Sequence, residues 1–500
     1  MLDPVTAVRL RGQPPVRATV YVGARLLLRG AAVVNGDLPD DLKKAAEQAG
    51  LVATIEDRDR ALLALADEAG VGSFARRTTV VRVNLDPAGD GPAVPPDSWQ
   101  VIQNYRAIVG VDSQRSKQVS LDHLVTATAD IEGVPFVSPH GVDGVPFVSP
   151  HGVGAPSSEF GVPGRGGRAP VAWQGPPPRR HKKTKCRRPV VAILDTGVGR
   201  HPWLTYPMVQ RHPRVGSLPI GLTDPQTNAE ATGRIDDPLE GTLDPDAGHG
   251  TFIAGLIHQT CPDADILSVR VMHGDGAVAE GDVLEALNRL LIRQAIALKH
   301  HRADHLIDVI SLSLGYYHEF PSDAAFDLLI LKPLRELGKL GVLVVASAGN
   351  DSTNRHMYPA GFAPHDGSQL PATHDALPVV SVGARNPDDK TLALFTNQAN
   401  WVKCYRRGSN VVSTMPTTFT GALQPTARVR IGGYTRETLD PDNFSCGFGT
   451  WSGTSFSAPI LAGEYAAHIL RHGGLDTCDP VAAVERGWLA LKTVAEMDRP

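Results

Sequence analysis

Three side chains in this 500-residue chain have the types from which a hydroxyl-nucleophile site is built: an acid, an imidazole and a hydroxyl. Asp195 closes the apolar run of VVAILDTGV, with a glycine two residues later to allow a turn. An Asp in a D-x-G triplet most often serves the turn itself. His249 lies between two glycines in DAGHGTFIAGL, ahead of an apolar helical run. Flanking glycines let another backbone, or a substrate, approach the ring closely, although a lone His in such a turn is more often structural. Ser455 opens a helical run in WSGTSFSAPILAGEYAAHIL, with Pro459 in its first turns. Such a Ser commonly caps the helix. Its backbone N–H also faces outward there, where it can stabilise a developing oxyanion.

The elements that must hold these residues follow from the texture of the chain beyond Pro189. Nearly continuous apolar runs occur at 190–194 (VVAIL), 266–271 (ILSVRV), 306–314 (LIDVISLSL), 341–348 (GVLVVASA) and 378–383 (PVVSVG). Runs of this kind suit parallel strands buried on both faces. Helical patterns at 281–300 and 323–340 separate them. Short strand–helix–strand links imply right-handed crossovers, with helices on both faces of the sheet. Reactive groups in such sheets gather at the carboxyl ends of strands, where Asp195 is expected.

Taken together, D-T-G at Asp195, H-G-T at His249 and G-T-S-x-x-A-P at Ser455 stand in the order of the three signature motifs of the subtilases, the subtilisin-like serine peptidases. VVASAGND resembles the family segment that carries the oxyanion-hole Asn, here Asn350. The resemblance covers about residues 189–472. It implies an α/β fold, with a parallel sheet flanked by helices, and an endopeptidase that hydrolyses peptide bonds through an acyl-enzyme. In that scheme His249 takes the proton of Ser455 and Asp195 orients and stabilises the imidazole. Asn350 and the Ser455 N–H stabilise the oxyanion. The likeness extends to two substrate-binding edges, Ser313, Leu314 and Gly315 in SLSLG and Gly276, Ala277 and Val278 in GDGAVAEG. Between them an extended peptide would pair as an added strand. YPAG at 358–361 resembles the loop near the first specificity pocket.

Departures from the family pattern are local. Phe252 stands where the family often has a second His, outside the triad. Segments 196–248 and 415–447 look inserted. No calcium loop is recognisable, so no metal is expected, and the chemistry calls for no cofactor.

The length suggests two or three domains, and the formal charge of −4 gives no global attraction to nucleic acid or anionic membrane. Residues 1–130 read as a small α/β domain, with strands near 18–30, 51–56 and 78–85 and helices near 39–50, 59–70 and 97–110. Residues 131–188 read as a Gly/Pro-rich linker, in which GVPFVSPHGV occurs at 133–142 and again at 144–153. Two copies are too few for a solenoid, and a semi-extended spacer is the expectation. The linker ends in RRHKKTKCRR (179–188), with seven Lys or Arg and no interleaved aromatics, so a solvated tail is expected rather than a nucleic-acid site. Residues 189–500 form the peptidase domain. Five scattered cysteines make no disulfide framework, no apolar segment reaches membrane-spanning length, and no basic start leads into an apolar core. A cytoplasmic location is therefore expected, with secretion left open. The N-terminal region is expected to restrain the peptidase until the tether is cut between Ile131 and Arg188. The contrasting reading is a partner-recruiting regulatory protein on a subtilase scaffold, with proteolysis as a regulated output or absent; the complete triad argues for activity.

Overall fold

The computed structural model describes residues 1–33, 36–89, 95–127, 156–236, 238–319, 329–366 and 371–500. Both copies of the GVPFVSPHGV repeat, and the start of the helix expected at 323–340, lie outside the described residues.

The N-terminal unit runs β1 (Tyr21–Arg29), α1 (Asp40–Glu47), β2 (Leu51–Ile55), α2 (Asp57–Glu68), α3 (Gly72–Thr78), β3 (Val80–Pro87), α4 (Ser98–Val109) and β4 (Val119–Ala127). Its strands pair antiparallel in the order β4–β1–β3–β2. Period-two alternation sorts their side chains by face. Leu26, Leu28, Val81, Val83 and Leu121 join a buried cluster with Leu42, Ala45 and Ala46 of α1 and Trp99 and Ile102 of α4. Leu27 and Val80 face the other way, toward Leu62 and Ala66 of α2. Asp97 caps α4 by accepting the Trp99 N–H at 3.0 Å.

The chain continues through β5 (Ala169–Pro170), β6 (Val190–Asp195), β7 (Val209–Gln210), a small hairpin of β8 (Arg214–Val215) and β9 (Leu218–Pro219), α5 (Ala229–Thr232) and α6 (His249–Thr260). β10 (Asp265–Arg270), β11 (Ala277–Ala279), α7 (Glu280–Lys299), β12 (Val309–Leu312), β13 (Leu314–Gly315), α8 (Leu331–Lys339), β14 (Leu343–Ser347), β15 (Val379–Arg385) and β16 (Cys404–Arg407) follow. The last elements are β17 (Val411–Thr414), β18 (Arg428–Ile431), β19 (Tyr434–Glu437), β20 (Phe448–Trp451), α9 (Thr454–His472) and α10 (Pro480–Val494). A seven-stranded sheet, wholly parallel, has the order β16–β15–β14–β12–β6–β10–β7. Alternate residues of one strand enter opposite cores. Val191 and Ile193 pack with α6, α9 and α10, whereas Ala192 and Leu194 pack with α7 and α8. This is the fold class expected from the buried apolar runs.

Residues 179–188 are not the solvated tail expected of a basic run. Arg187 donates to both oxygens of Asp308 at 2.7 and 2.9 Å, Arg188 pairs with Asp263 at 2.6 Å, and Arg180 pairs with Asp265. The acidic partners stand beside the amino ends of β10 and β12, so the run anchors the entrance to β6. Upstream, β5 pairs with β20. The segment 415–447 carries the β18–β19 hairpin, with Val429, Ile431 and Tyr434 exposed. Among the described residues, no helix is long and apolar enough to cross a membrane.

Candidate active site

The carboxyl ends of β6, β12 and β14 meet the amino ends of α6 and α9, and the motif residues sit on these junctions. Asp195 is the last residue of β6, and its Oδ1 accepts from the Thr196 N–H at 2.8 Å. His249 is the first residue of α6, after Gly248 in the left-handed conformation with φ 90°. A Cβ at Gly250 would lie 2.1 Å from the carbonyl oxygen of Gly197, so only glycine lets α6 approach the turn after β6 this closely. That approach brings His249 Nδ1 to 2.7 Å from Asp195 Oδ1, with both side chains buried. The carboxylate can only accept, so Nδ1 donates and the base position falls on Nε2. Among the described residues Nε2 has no hydrogen-bond partner.

Burial by itself would push the His249 pKa down, but the Asp195 carboxylate outweighs it, with smaller help from Asp246 and Glu230. The net shift is upward. Such a pair suits a general base whose protonated form is stabilised as it takes up a proton.

Ser455 is the second residue of α9, in the first turn, where N–H groups have no acceptor within the helix. The ring of the next residue, Phe456, lies 5.4 Å from the His249 ring between centroids. Ser455 Oγ is 3.4 Å from the carbonyl oxygen of Ser313, and Ser313 Oγ donates to the Ser455 carbonyl at 2.8 Å. Asn350 follows Gly349 (φ 102°) just beyond β14. Its Oδ1 accepts from both the N–H and the hydroxyl of Thr454 at 2.9 Å, which leaves the amide NH2 as its donor end. Thus Asp195 and His249 are in direct contact, while Asn350 and Ser313 each bond within the Thr454–Ser455 pair that opens α9.

The two expected substrate edges frame this site, and a strand already lies between them. β4 pairs antiparallel with β11 (Thr126 opposite Ala277, Val125 opposite Val278) and with β13 (Ala127 opposite Leu314, Thr126 opposite Gly315). The Ala127 N–H donates to Gly276 O at 2.9 Å. The first half of β4 belongs to the N-terminal sheet through β1, and its second half is the strand that lies between β11 and β13. Sequence reading missed β4. Its signal is the alternation of Val119, Leu121, Val125 and Ala127.

Two buried polar groups also escaped sequence reading. Glu230, on α5, accepts hydrogen bonds from residues on both sides of the Asp195–His249 pair. His123, on β4, lies between Glu280 Oε2 at 2.7 Å and Glu319 Oε2 at 2.8 Å. Neither belongs to a recognisable motif. The donor atoms of His123, His318 and Glu319 lie within 4.8 Å of one another, close enough to converge on a metal ion. Both ring nitrogens of His123 are, however, already engaged by carboxylates, so an ion pair accounts for the cluster.

The fold and the site define a subtilase: the family's sequence profile matches residues 187–475, and the chain belongs to the subtilase family. It is 25% identical over 320 residues to the serine protease AprX of Bacillus subtilis (strain 168), covering 58% of this chain and 59% of that protein. It is 24% identical over 232 residues to a subtilisin-like protease of Coccidioides posadasii (strain C735), 45% of this chain and 44% of that protein. A third relative, subtilisin-like protease 2 of Pseudogymnoascus destructans, is 25% identical over 250 residues, 49% of this chain and 48% of that protein. The chain spans about half the length of the relatives it matches.

Proposed function

We propose that the chain is a serine endopeptidase, with Ser455 as nucleophile, His249 as general base and Asp195 as the group that orients and stabilises the imidazole. The observation that carries this reading is the buried 2.7 Å Asp195–His249 bond beside the first turn of α9. His249 Nε2 takes the hydroxyl proton as Ser455 Oγ bonds to the peptide carbonyl carbon. The same proton then passes to the leaving amine as the C–N bond breaks, and water repeats the cycle on the acyl-enzyme. The Asn350 amide and the Ser455 N–H are the donors proposed for the oxyanion, aided by the positive end of the α9 dipole. Substrate is an extended peptide paired with Gly276–Val278 and Ser313–Gly315, the two edges that now hold β4. The purified protein should cleave an unfolded protein substrate, and its Ser455→Ala form should not. Equal cleavage by both would remove the assignment.

The pairing of β4 with both edges favours a second, compatible reading. Residues 1–130 act as an inhibitory domain whose last strand stands in for substrate, 131–188 as its tether and 189–500 as the peptidase. Running antiparallel to β13, β4 ends with Ala127 opposite Leu314, next in sequence to Ser313, whose hydroxyl bonds the Ser455 carbonyl. That placement draws the expected first cut toward the end of β4, ahead of the Ile131–Arg188 stretch that composition favours. Intact masses of the wild type and Ser455→Ala should differ by this cut. A full-length wild type with undiminished activity would contradict the restraint.

A further inference from the structure

Glu230 is 1% exposed and bonds to residues next to Asp195 and His249 in the chain. Its Oε1 accepts from the Thr196 hydroxyl at 2.6 Å and from the Gly248 N–H at 3.0 Å, and its other oxygen accepts from the Thr251 hydroxyl. Thr196 follows Asp195 in the chain, while Gly248 and Thr251 flank His249. Thr196 Oγ1 also accepts from the Gly250 N–H at 3.0 Å, and Thr251 Oγ1 accepts from the Gly199 N–H at 2.7 Å. One carboxylate therefore joins the turn after β6 to the start of α6, the two segments whose spacing sets the Asp195–His249 bond.

The link has an electrical side. The Thr196 hydroxyl has one proton and two carboxylate acceptors, Glu230 Oε1 at 2.6 Å and Asp195 Oδ1 at 3.2 Å. The cations in electrostatic reach direct their donors elsewhere. Arg168 donates to the carbonyls of Asp244 and Ala247, Arg211 to those of Val198, Gly199 and Leu204, and Arg270 to those of Thr227 and Asp224. A carboxyl buried so fully without a direct cation is costly to ionise, and burial pushes Glu230 up to about 7, with Asp195 adding to the rise. Packing alone calls for no acid at this position. An apolar residue would, however, leave the Thr251 hydroxyl and the Gly248 N–H without their acceptor and the Thr196 hydroxyl with Asp195 alone.

We infer that Glu230 is a positioning residue for the Asp195–His249 pair, and that in its ionised form its charge, relayed across Thr196, stabilises the protonated imidazole. The inference rests on the peptidase reading above. It extends the machinery to Glu230, with Thr196 and Thr251 as its contacts.

The test compares Glu230→Ala, Glu230→Gln and Thr196→Val with wild type, with kcat referred to sites titrated by a fluorophosphonate. Wild type that fails to react with the probe overturns the peptidase reading itself; the arms below bear on Glu230 alone. Glu230→Ala should lower kcat on the order of 10–10²-fold with little change in KM, as for a displaced catalytic group. Glu230→Gln keeps an acceptor toward Thr196 and Gly248 and should recover kcat to within a few-fold. It lacks the charge, so the acid limb of kcat/KM should move down by roughly 0.5–1 pH unit. A purely structural Glu230 would leave that limb in place. An unmoved limb in a folded Glu230→Gln enzyme, or wild-type kcat in Glu230→Ala, overturns the inference. Should the Glu230 variants fail to fold, Thr196→Val decides: it cuts the relay while keeping side-chain shape, and an unchanged kcat overturns the inference equally.

Discussion

Replacing His123 with Leu tests how β4 is held between β11 and β13. His123 is fully buried on β4, with Nδ1 2.7 Å from Glu280 Oε2 and Nε2 2.8 Å from Glu319 Oε2. Both acids come from the peptidase unit, one from the first residue of α7 and one from the segment after β13. The Tyr316 ring stacks on the imidazole at 4.7 Å, and its hydroxyl donates to Glu280 Oε1 at 2.9 Å. Burial would lower the His123 pKa, but Glu319 and Glu280 outweigh it and raise it to about 10. Burial likewise pushes the neighbouring His318 down to about 4, so it stays neutral, and the charge of Arg106 on α4 attracts Glu319. His123 is thus an imidazolium clamped by two carboxylates. Removing one partner of a buried ion pair costs about 3–5 kcal/mol, because the other charge is left without compensation. The pH route gives the same scale. The folded value of about 10 lies above the unfolded value of 6.5, so the stabilisation is complete below pH 6.5 and lost as pH rises through 10. At 1.36 kcal/mol per unit this amounts to roughly 5 kcal/mol. The assay is hydrogen exchange of the β4 amides in the uncut Ser455→Ala chain. Protection should fall by roughly 10²-fold or more in His123→Leu, and in the parent as pH rises from 6.5 to 10 after correction for intrinsic exchange. Protection in His123→Leu within threefold of the parent would refute the clamp.

Ser455→Ala and His249→Ala should each lower turnover on the order of 10⁶-fold, the scale known for the same substitutions in subtilisin, read from kcat in a peptide assay with folding checked by circular dichroism. Asn350→Leu should lower kcat about 10²–10³-fold, as for the equivalent subtilisin donor, with KM nearly unchanged; a raised KM at constant kcat would assign it to binding instead. Gly276→Ala places a methyl 2.0 Å from Asp246 Oδ2 at a φ of 69°, which displaces the cleft edge. It should raise KM by roughly tenfold, about 1.4 kcal/mol, and an unchanged KM would mean that substrate does not use this edge.

The motif residues were legible because each stands at a strand end or a helix start, where local sequence and local geometry coincide. Asp195 closes an apolar run, and Ser455 opens a helix within a recognisable motif. Strands buried on both faces announced the central sheet in the same way. β4 was harder to see because its pairing partners lie about 150 residues away on β11 and about 190 away on β13. Glu230 was invisible for a related reason: NAEATG carries no periodic or motif signal, and the groups that bond to this acid come from segments on either side of it in the chain. The basic run at 179–188 misled because its charge balance depends on Asp263, Asp265 and Asp308, brought near only by the sheet. Local chemistry could be read directly, whereas polar groups paired across the fold could not.

That Ser455 is a nucleophile activated by His249 is the proposal on which the others depend. Intact and peptide mass spectrometry after exposure to a fluorophosphonate tests it most directly. One phosphonyl group should attach to wild-type protein and map to Ser455, while His249→Ala reacts far more slowly and Ser455→Ala not at all. Adduct on another residue, or equal labelling of the wild type and Ser455→Ala, would contradict the claim.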